Sequence, residues 1–146
     1  MGAVASIDHF RYAPEYLRGI LERTRTIAIV GATPEPWRAS YGVSAYLKRA
    51  GYRIIPVNPT AVGECVHGEA LVAALADIRE PIDLVNVFRR PQFLPGVVEE
   101  AIAAGAPAVW MQLGIRHEGA KDRAQAAGLA VVMDRCISVE HRRLFG

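Results

Sequence analysis

The run Ile27-Ala28-Ile29-Val30-Gly31-Ala32-Thr33-Pro34 decides how the rest of the chain is read. Four apolar residues without polar alternation describe a strand buried on both faces, the signature of a parallel sheet. Gly31 closes the run where the backbone must come close to something else. Working outward, comparable runs recur at Ile54-Ile55-Pro56-Val57, Leu84 to Phe88, Ala108 to Leu113 and Leu129 to Met133. The segments between them carry a 3.6-residue period. Val43, Tyr46, Leu47 and Ala50 form one apolar stripe, stopped by Gly51; Leu94, Val97, Val98, Ala101 and Ile102 form another, stopped by Gly105. Shorter helices are expected over about Glu69 to Leu75 and Glu118 to Ala127.

Ahead of the first strand, Ala13 to Arg23 reads as a helix with Pro14 in its first turn, within an N-terminal segment 13–25. In the tail 138–146, Ser138 to Leu144 is expected to add a last turn or short helix capped by Ser138. The repeated strand–helix–strand order implies an α/β, three-layer, doubly wound Rossmann-like fold. Its five-stranded sheet is mainly parallel, and residues 1–146 make one domain. Pro56 cannot donate to a sheet ladder, so it must sit at a strand end or on a non-pairing side.

Composition narrows the function. Apolar residues are 51% of the 146 and charged ones 22%, which excludes a disordered chain. No apolar run reaches membrane-spanning length. Seventeen basic against fifteen acidic residues do not describe a nucleic-acid binder, so any anion site must be local. Cys65 and Cys136 each stand alone, which excludes CxxC metal or redox motifs and fits a reducing, cytoplasmic setting. The N-terminus lacks the pattern of a secretory signal. Met1-Gly2 with Ser6 matches the bare myristoylation pattern, but no basic run follows and one acyl chain anchors weakly.

In an open doubly wound sheet, ligands lie beyond the carboxyl ends of the strands. That geometry selects Gly31 to Pro34, Asn58 to Thr60, Arg89 to Pro91, Gly114 to His117 and Asp134 to Cys136. In the first loop, Arg38 precedes Ser40, a good N-cap for the following helix. Hydroxyl, helix amides and guanidinium would make a diphosphate seat; a capped helix with a solvent-facing arginine explains the same residues. A dinucleotide redox cofactor fits poorly. The G-x-G-x-x-G fingerprint is replaced by Gly31-Ala32-Thr33-Pro34-Glu35-Pro36, and the second strand ends in Val57-Asn58-Pro59 without the acid that holds a ribose.

Ile29-Val30-Gly31-Ala32-Thr33-Pro34 with Arg38 and Ser40, Pro56-Val57-Asn58-Pro59, and Asp83 through Val87-Phe88-Arg89 resemble the small CoA-binding domain proteins. These are stand-alone relatives of the CoA-binding domain of the succinyl-CoA synthetase alpha subunit. Trp110 to Ile115, Asp134-Arg135-Cys136 and Val139-Glu140-His141 are similar to that family's pattern too. The resemblance implies coenzyme A in the crevice. Gly31, Ala32, Thr33, Pro34, Arg38 and Ser40 would hold the diphosphate or ribose phosphate, and Asn58 and Pro59 would border the adenosine end. Val87, Phe88 and Arg89 would line the next strand's edge, and Gln112 and Gly114 would face the pantetheine arm. Arg38, Arg89 and Arg90 would supply the local positive charge that CoA phosphates want. A complete ligase is not implied, because the chain lacks the length for a phosphohistidine domain and a nucleotide-binding subunit.

Cys136, after the fifth strand and beside Arg135, is a candidate for a mixed disulfide with the CoA thiol; a packed free cysteine is the plainer alternative. Cys65 with His67 offers too few ligands for a metal. Trp110 and Met111 read as core and His117 as a loop residue. Gln112 needs a partner if buried, and a ligand is the expected one. The expected function is therefore non-catalytic binding of coenzyme A or an acyl-CoA, as sensor, carrier or regulator. The alternatives are an NAD(P)- or CoA-thioester-dependent enzyme, and the CoA-binding subunit of a multi-chain acyl-CoA ligase. A homodimer is expected of so small a domain with exposed sheet edges.

Overall fold

The protein is described here from a computed structural model covering residues 6–146. The Met1-Gly2 acylation pattern lies outside the described residues. Helix α1 (Pro14–Arg23) leads into β1 (Thr26–Val30), α2 (Ala39–Arg49) and β2 (Arg53–Val57). A small hairpin of β3 (Cys65–Val66) and β4 (Glu69–Ala70) follows, then a 3₁₀ turn at Leu75–Asp77. The remaining elements are β5 (Leu84–Val87), a second 3₁₀ turn (Pro91–Phe93), α3 (Leu94–Ala103), β6 (Ala108–Met111), α4 (Glu118–Ala126), β7 (Ala130–Val132) and α5 (Ile137–Phe145).

Five strands form one sheet in the order β2-β1-β5-β6-β7, and every neighbouring pair is parallel. Each strand is apolar on both sides because helices cover both faces. Ile27, Ile29, Leu84, Trp110 and Val132 pack with α1, α2 and α5. Ala28, Val85, Val87, Val109 and Val131 pack with α3 and α4. The expected doubly wound architecture is therefore the observed one.

Pro56 illustrates how the edge strand accommodates its sequence. Arg53 donates to Arg25 and Gly31 accepts its place in the ladder by donating to Val57, so the odd residues of β2 face β1. The nitrogen of Pro56 then points to the open side, where no ladder donor is required. On that side Val72 runs along β2, donating to the Pro56 carbonyl at 3.1 Å and accepting from Asn58 at 2.9 Å. The opposite edge, β7, is covered by side chains. Tyr16 Oη donates to the Val131 carbonyl at 2.7 Å and accepts from the Val131 N–H at 3.1 Å. Tyr12 Oη accepts from the Met133 N–H at 2.7 Å.

The segment 69–75 departs from expectation. Instead of a helix, Glu69–Ala70 is the second strand of the hairpin. Its turn residues His67 and Gly68 both have positive φ, 50° and 81°, the primed geometry that a two-residue hairpin loop needs. Leu71, Val72 and Leu75, which imitate a helical stripe, instead serve the flank of β2 and the 3₁₀ turn. The tail helix also begins earlier than expected: Cys136, not Ser138, is the residue before α5.

Candidate functional site

The strand order reverses between β1 and β5, and there the loops after β1, β2 and β5 diverge to leave a groove. Two contiguous cavities fill it. The first, about 450 Å³, is polar and lined by Gly31, Thr33, Glu35, Arg38, Ser40 and Phe88 among others. The second, about 360 Å³, mixes apolar walls (Val30, Val57, Pro59, Leu75, Val97) with Thr60, Arg89 and Glu100. Gly31, Asn58, Thr60 and Phe88 border both.

Gly31 adopts φ +86°, and a Cβ there would drive into the Phe88 carbonyl oxygen. The residue is thus required by the approach of the β1 and β5 ends to one another: its N–H donates to Val57 at 2.9 Å, and Phe88 N–H donates to Val30 at 2.8 Å. Beyond it, the Thr33 hydroxyl accepts from the Glu35 N–H at 3.2 Å and shapes the loop. Asn58 then braces two loops. Its Nδ2 donates to the Ala32 carbonyl at 2.8 Å, while Oδ1 accepts from the Thr60 N–H and hydroxyl.

Helix α2 starts at Ala39 with Arg38 as its N-cap, so Ser40 stands one turn position inside the helix and does not cap it. Its Oγ is buried, the residue being only 3% exposed, and has no hydrogen-bond partner. An unpartnered buried hydroxyl costs about 1–3 kcal/mol. Ser40 lines the polar cavity at the start of α2, where the helix dipole is positive and the Tyr41 N–H is already bonded to the Arg38 carbonyl at 3.1 Å. Arg38 reaches the same cavity, held by Glu35 at 3.1 Å.

Other expected site residues are placed differently. Ala32 and Val87 are fully buried in the core, and Val87 packs on the α3–α4 face away from the polar cavity. Pro34 is half-buried in the first loop. Arg89 lines the mixed cavity with its guanidinium 4.0 Å over the Phe93 ring, and Arg90 is exposed at the start of the next turn. Gln112 is buried, and its Oε1 accepts from the Ile137 N–H at 2.9 Å. The partner expected to be a ligand is therefore, for that oxygen, the start of α5. Gly114 donates its N–H to Asp134 at 2.6 Å.

Cys136 is half-buried, with Sγ 3.2 Å from Ser138 Oγ. Burial pushes its thiol up. Hydrogen bonds from the Ser138 hydroxyl, the Val139 N–H, the Gln112 amide and the Ser138 N–H outweigh that and hold it below its ordinary value. Arg135, the cation expected to activate it, is instead engaged with the Phe10 and Asp134 carbonyls. His117 caps α4, its Nδ1 accepting from the Ala120 N–H at 2.9 Å. His67 Nε2 lies 2.7 Å from the Tyr41 carbonyl.

Sequence reasoning placed Thr60 at the strand ends and missed Glu35, Ala73 to Leu75, Val97 and Glu100, which line the groove with it. A positive-φ two-residue turn at His67-Gly68 was the one local signal that the 72–75 segment lies alongside β2. Among the described residues, no helix is long and apolar enough to cross a membrane.

Fold and groove together define a Rossmann-like α/β protein whose crevice sits at the strand-order reversal, with a helix N-terminus at its polar end. Comparison with known proteins gives the class its family. Residues 25–142 match the model of the CoA binding domain, and the chain belongs to that family. It is 46% identical over 125 residues to the uncharacterized protein YneT of Bacillus subtilis, covering 86% of this chain and 91% of that one. A solved structure from Thermus thermophilus is 44% identical with a TM-score of 0.87, covering 91% of this chain and 99% of the other. A hypothetical protein from Pyrococcus horikoshii is 38% identical with a TM-score of 0.89, and the match covers both chains fully.

Proposed function

We propose that the groove binds coenzyme A or an acyl-CoA, without catalysing its turnover, as a sensor, carrier or regulator. The observation that carries this reading is the buried, unpartnered Ser40 hydroxyl at the start of α2. A diphosphate there would accept from that hydroxyl, from the Ala39 and Ser40 N–H groups and from Arg38. The mixed cavity beside it suits a purine nucleoside: apolar walls for the base, with Thr60 and Arg89 for ribose and phosphate oxygens. The pantetheine arm then leaves past Phe88, across the ends of β5 and β6.

A nicotinamide dinucleotide is the weaker occupant. Where such proteins present an acid to the ribose, this chain has Asn58, and its amide is committed to Ala32 and Thr60.

Isothermal titration with CoA, acetyl-CoA, dephospho-CoA, NAD and FMN tests the reading. CoA and acetyl-CoA should bind alike, with dephospho-CoA weaker because it lacks a phosphate. Arg38→Ala should weaken all three. NAD saturating the protein while CoA gives no heat would overturn the assignment.

A further inference from the structure

The two cavities of the groove lie on opposite sides of the sheet. Val30, Val57, Leu75 and Val97, apolar walls of the mixed cavity, belong to the core that packs under α3 and α4. The polar cavity opens at the start of α2, on the other face. A ligand that fills both therefore crosses the ends of β1 and β5 at Gly31 and Phe88, which border each cavity.

Only two charged side chains line the mixed cavity, Arg89 and Glu100. Arg89 comes two residues after β5, level with the strand ends. Glu100 lies far below it. Helix α3 is the crossover from β5 to β6, so it starts at Leu94 near the strand ends and runs back along the sheet. The six residues from Leu94 to Glu100 carry the chain about 9 Å deeper. A further apolar cavity of about 400 Å³, lined by Ile78, Ile82, Ala103 and Ala104 among others, begins at that depth. It shares Ala74, Leu75 and Glu100 with the mixed cavity. Glu100 thus stands at the inner end of the mixed cavity, on the partition between the two spaces.

A free carboxylate is out of place in a groove made for phosphates. Other acids nearby are neutralised. Glu35 in the polar cavity is paired with Arg38 at 3.1 Å, and Glu99, next to Glu100 on α3, is paired with Arg123 at 2.7 Å. The Glu100 carboxylate is exposed and, among the described residues, has neither an ion pair nor a hydrogen-bond partner. Its charge orients the ligand end for end. Phosphates are drawn to Arg89 and repelled by Glu100, so the inner end suits an uncharged group that carries hydrogen-bond donors. Between the two charges, Val57, Pro59, Leu75 and Val97 offer apolar walls for a flat base.

We propose that Glu100 reads the base: its carboxylate accepts a hydrogen bond from the 6-amino group of an adenine lying in the mixed cavity. The inference rests on the CoA reading above and adds the residue that selects the nucleotide. An amino group offers N–H donors, and a carboxylate offers only acceptors. A 6-oxo purine puts an oxygen at the same place, where two acceptors oppose each other and the attraction becomes a repulsion. A 6-dimethylamino purine keeps the nitrogen and loses both donors.

The test is isothermal titration of the full chain with CoA and with two analogues, one carrying 6-dimethylaminopurine and one carrying guanine in place of adenine. Wild type should bind CoA at least about fivefold more tightly than either analogue. Glu100→Ala should weaken CoA by that factor and leave the dimethylamino analogue unchanged, so that the two become equal. Glu100→Gln, whose amide oxygen still accepts, should restore part of the preference. A merely structural defect would weaken all ligands together. Equal binding of CoA and the dimethylamino analogue by wild type, tighter binding of the guanine analogue, or a uniform change on Glu100→Ala overturns the proposal. In each of those cases CoA has bound, so base reading by Glu100 is refuted and the CoA reading stands. If CoA gives no heat, both fall.

Discussion

Ser40→Ala separates folding from binding at a single oxygen. In the free protein the hydroxyl is buried and unpartnered, a penalty of about 1–3 kcal/mol. Alanine fills nearly the same space, and in a helix interior it is favoured over serine by roughly 0.5 kcal/mol. The free variant should therefore gain about 1.5–3.5 kcal/mol. For a chain of this size that raises Tm by about 5–10 °C. In the complex the sign reverses. A hydrogen bond to a charged phosphate is worth about 1.5–3 kcal/mol, so the variant should bind CoA at least about tenfold more weakly. Differential scanning calorimetry of the free protein and isothermal titration with CoA measure both halves. A variant that melts lower than wild type and binds CoA equally well would show that Ser40 is satisfied in the free fold and idle in the complex. That result would remove the observation on which the function rests.

Gly31→Ala combines a left-handed backbone, costing about 1–2 kcal/mol, with displacement of the Phe88 carbonyl, costing about 1–3 kcal/mol. Its urea midpoint should fall by about 1–2 M, whereas Gly96→Ala, with nothing near its would-be Cβ, should stay level or rise slightly. Glu35→Gln releases Arg38 for phosphate. Because that pair is largely exposed, at 65% and 43%, CoA affinity should rise by no more than about fivefold, and unchanged or weaker binding would remove Glu35 as a competitor. Burial lowers both His9, where Lys121 and Arg116 add to the effect, and His141. The unfolded chain then takes up these protons first, so stability is complete above pH 6.5 and declines as the pH falls below it. Urea midpoints at pH 7.5 and 5.5 should show the drop, and His9→Gln should reduce it; a flat profile refutes the assignment.

The sheet was legible because its strands are buried twice. Ile27 to Val30 is wholly apolar and Leu84 to Val87 is broken only by Asn86, and Gly51 and Gly105 mark helix ends directly. What escaped depends on partners distant in the chain. Leu71, Val72 and Leu75 have helical spacing, and only the flank of β2 turns them into an extended segment. Gln112 looked like a ligand group because its partner, Ile137, lies 25 residues away. At the candidate site, the residue types of the first loop pointed to an anion seat. The far wall at Val97 and Glu100 was illegible, since α3 reaches the groove only through packing. Ser40 was singled out as a cap, but its interest lies in having no partner.

Two phenols take the place of a sixth strand. With Tyr12 and Tyr16 occupying the amides of Val131 and Met133, β7 has no unmet donors at these positions to offer another chain. Peeling residues 12–16 away would uncover both at once, so loss of the leading helix and edge-to-edge self-association should arrive as a single event. The oligomeric state of a truncated or double Tyr→Phe chain thus becomes a direct readout of whether the amino-terminal arm is latched.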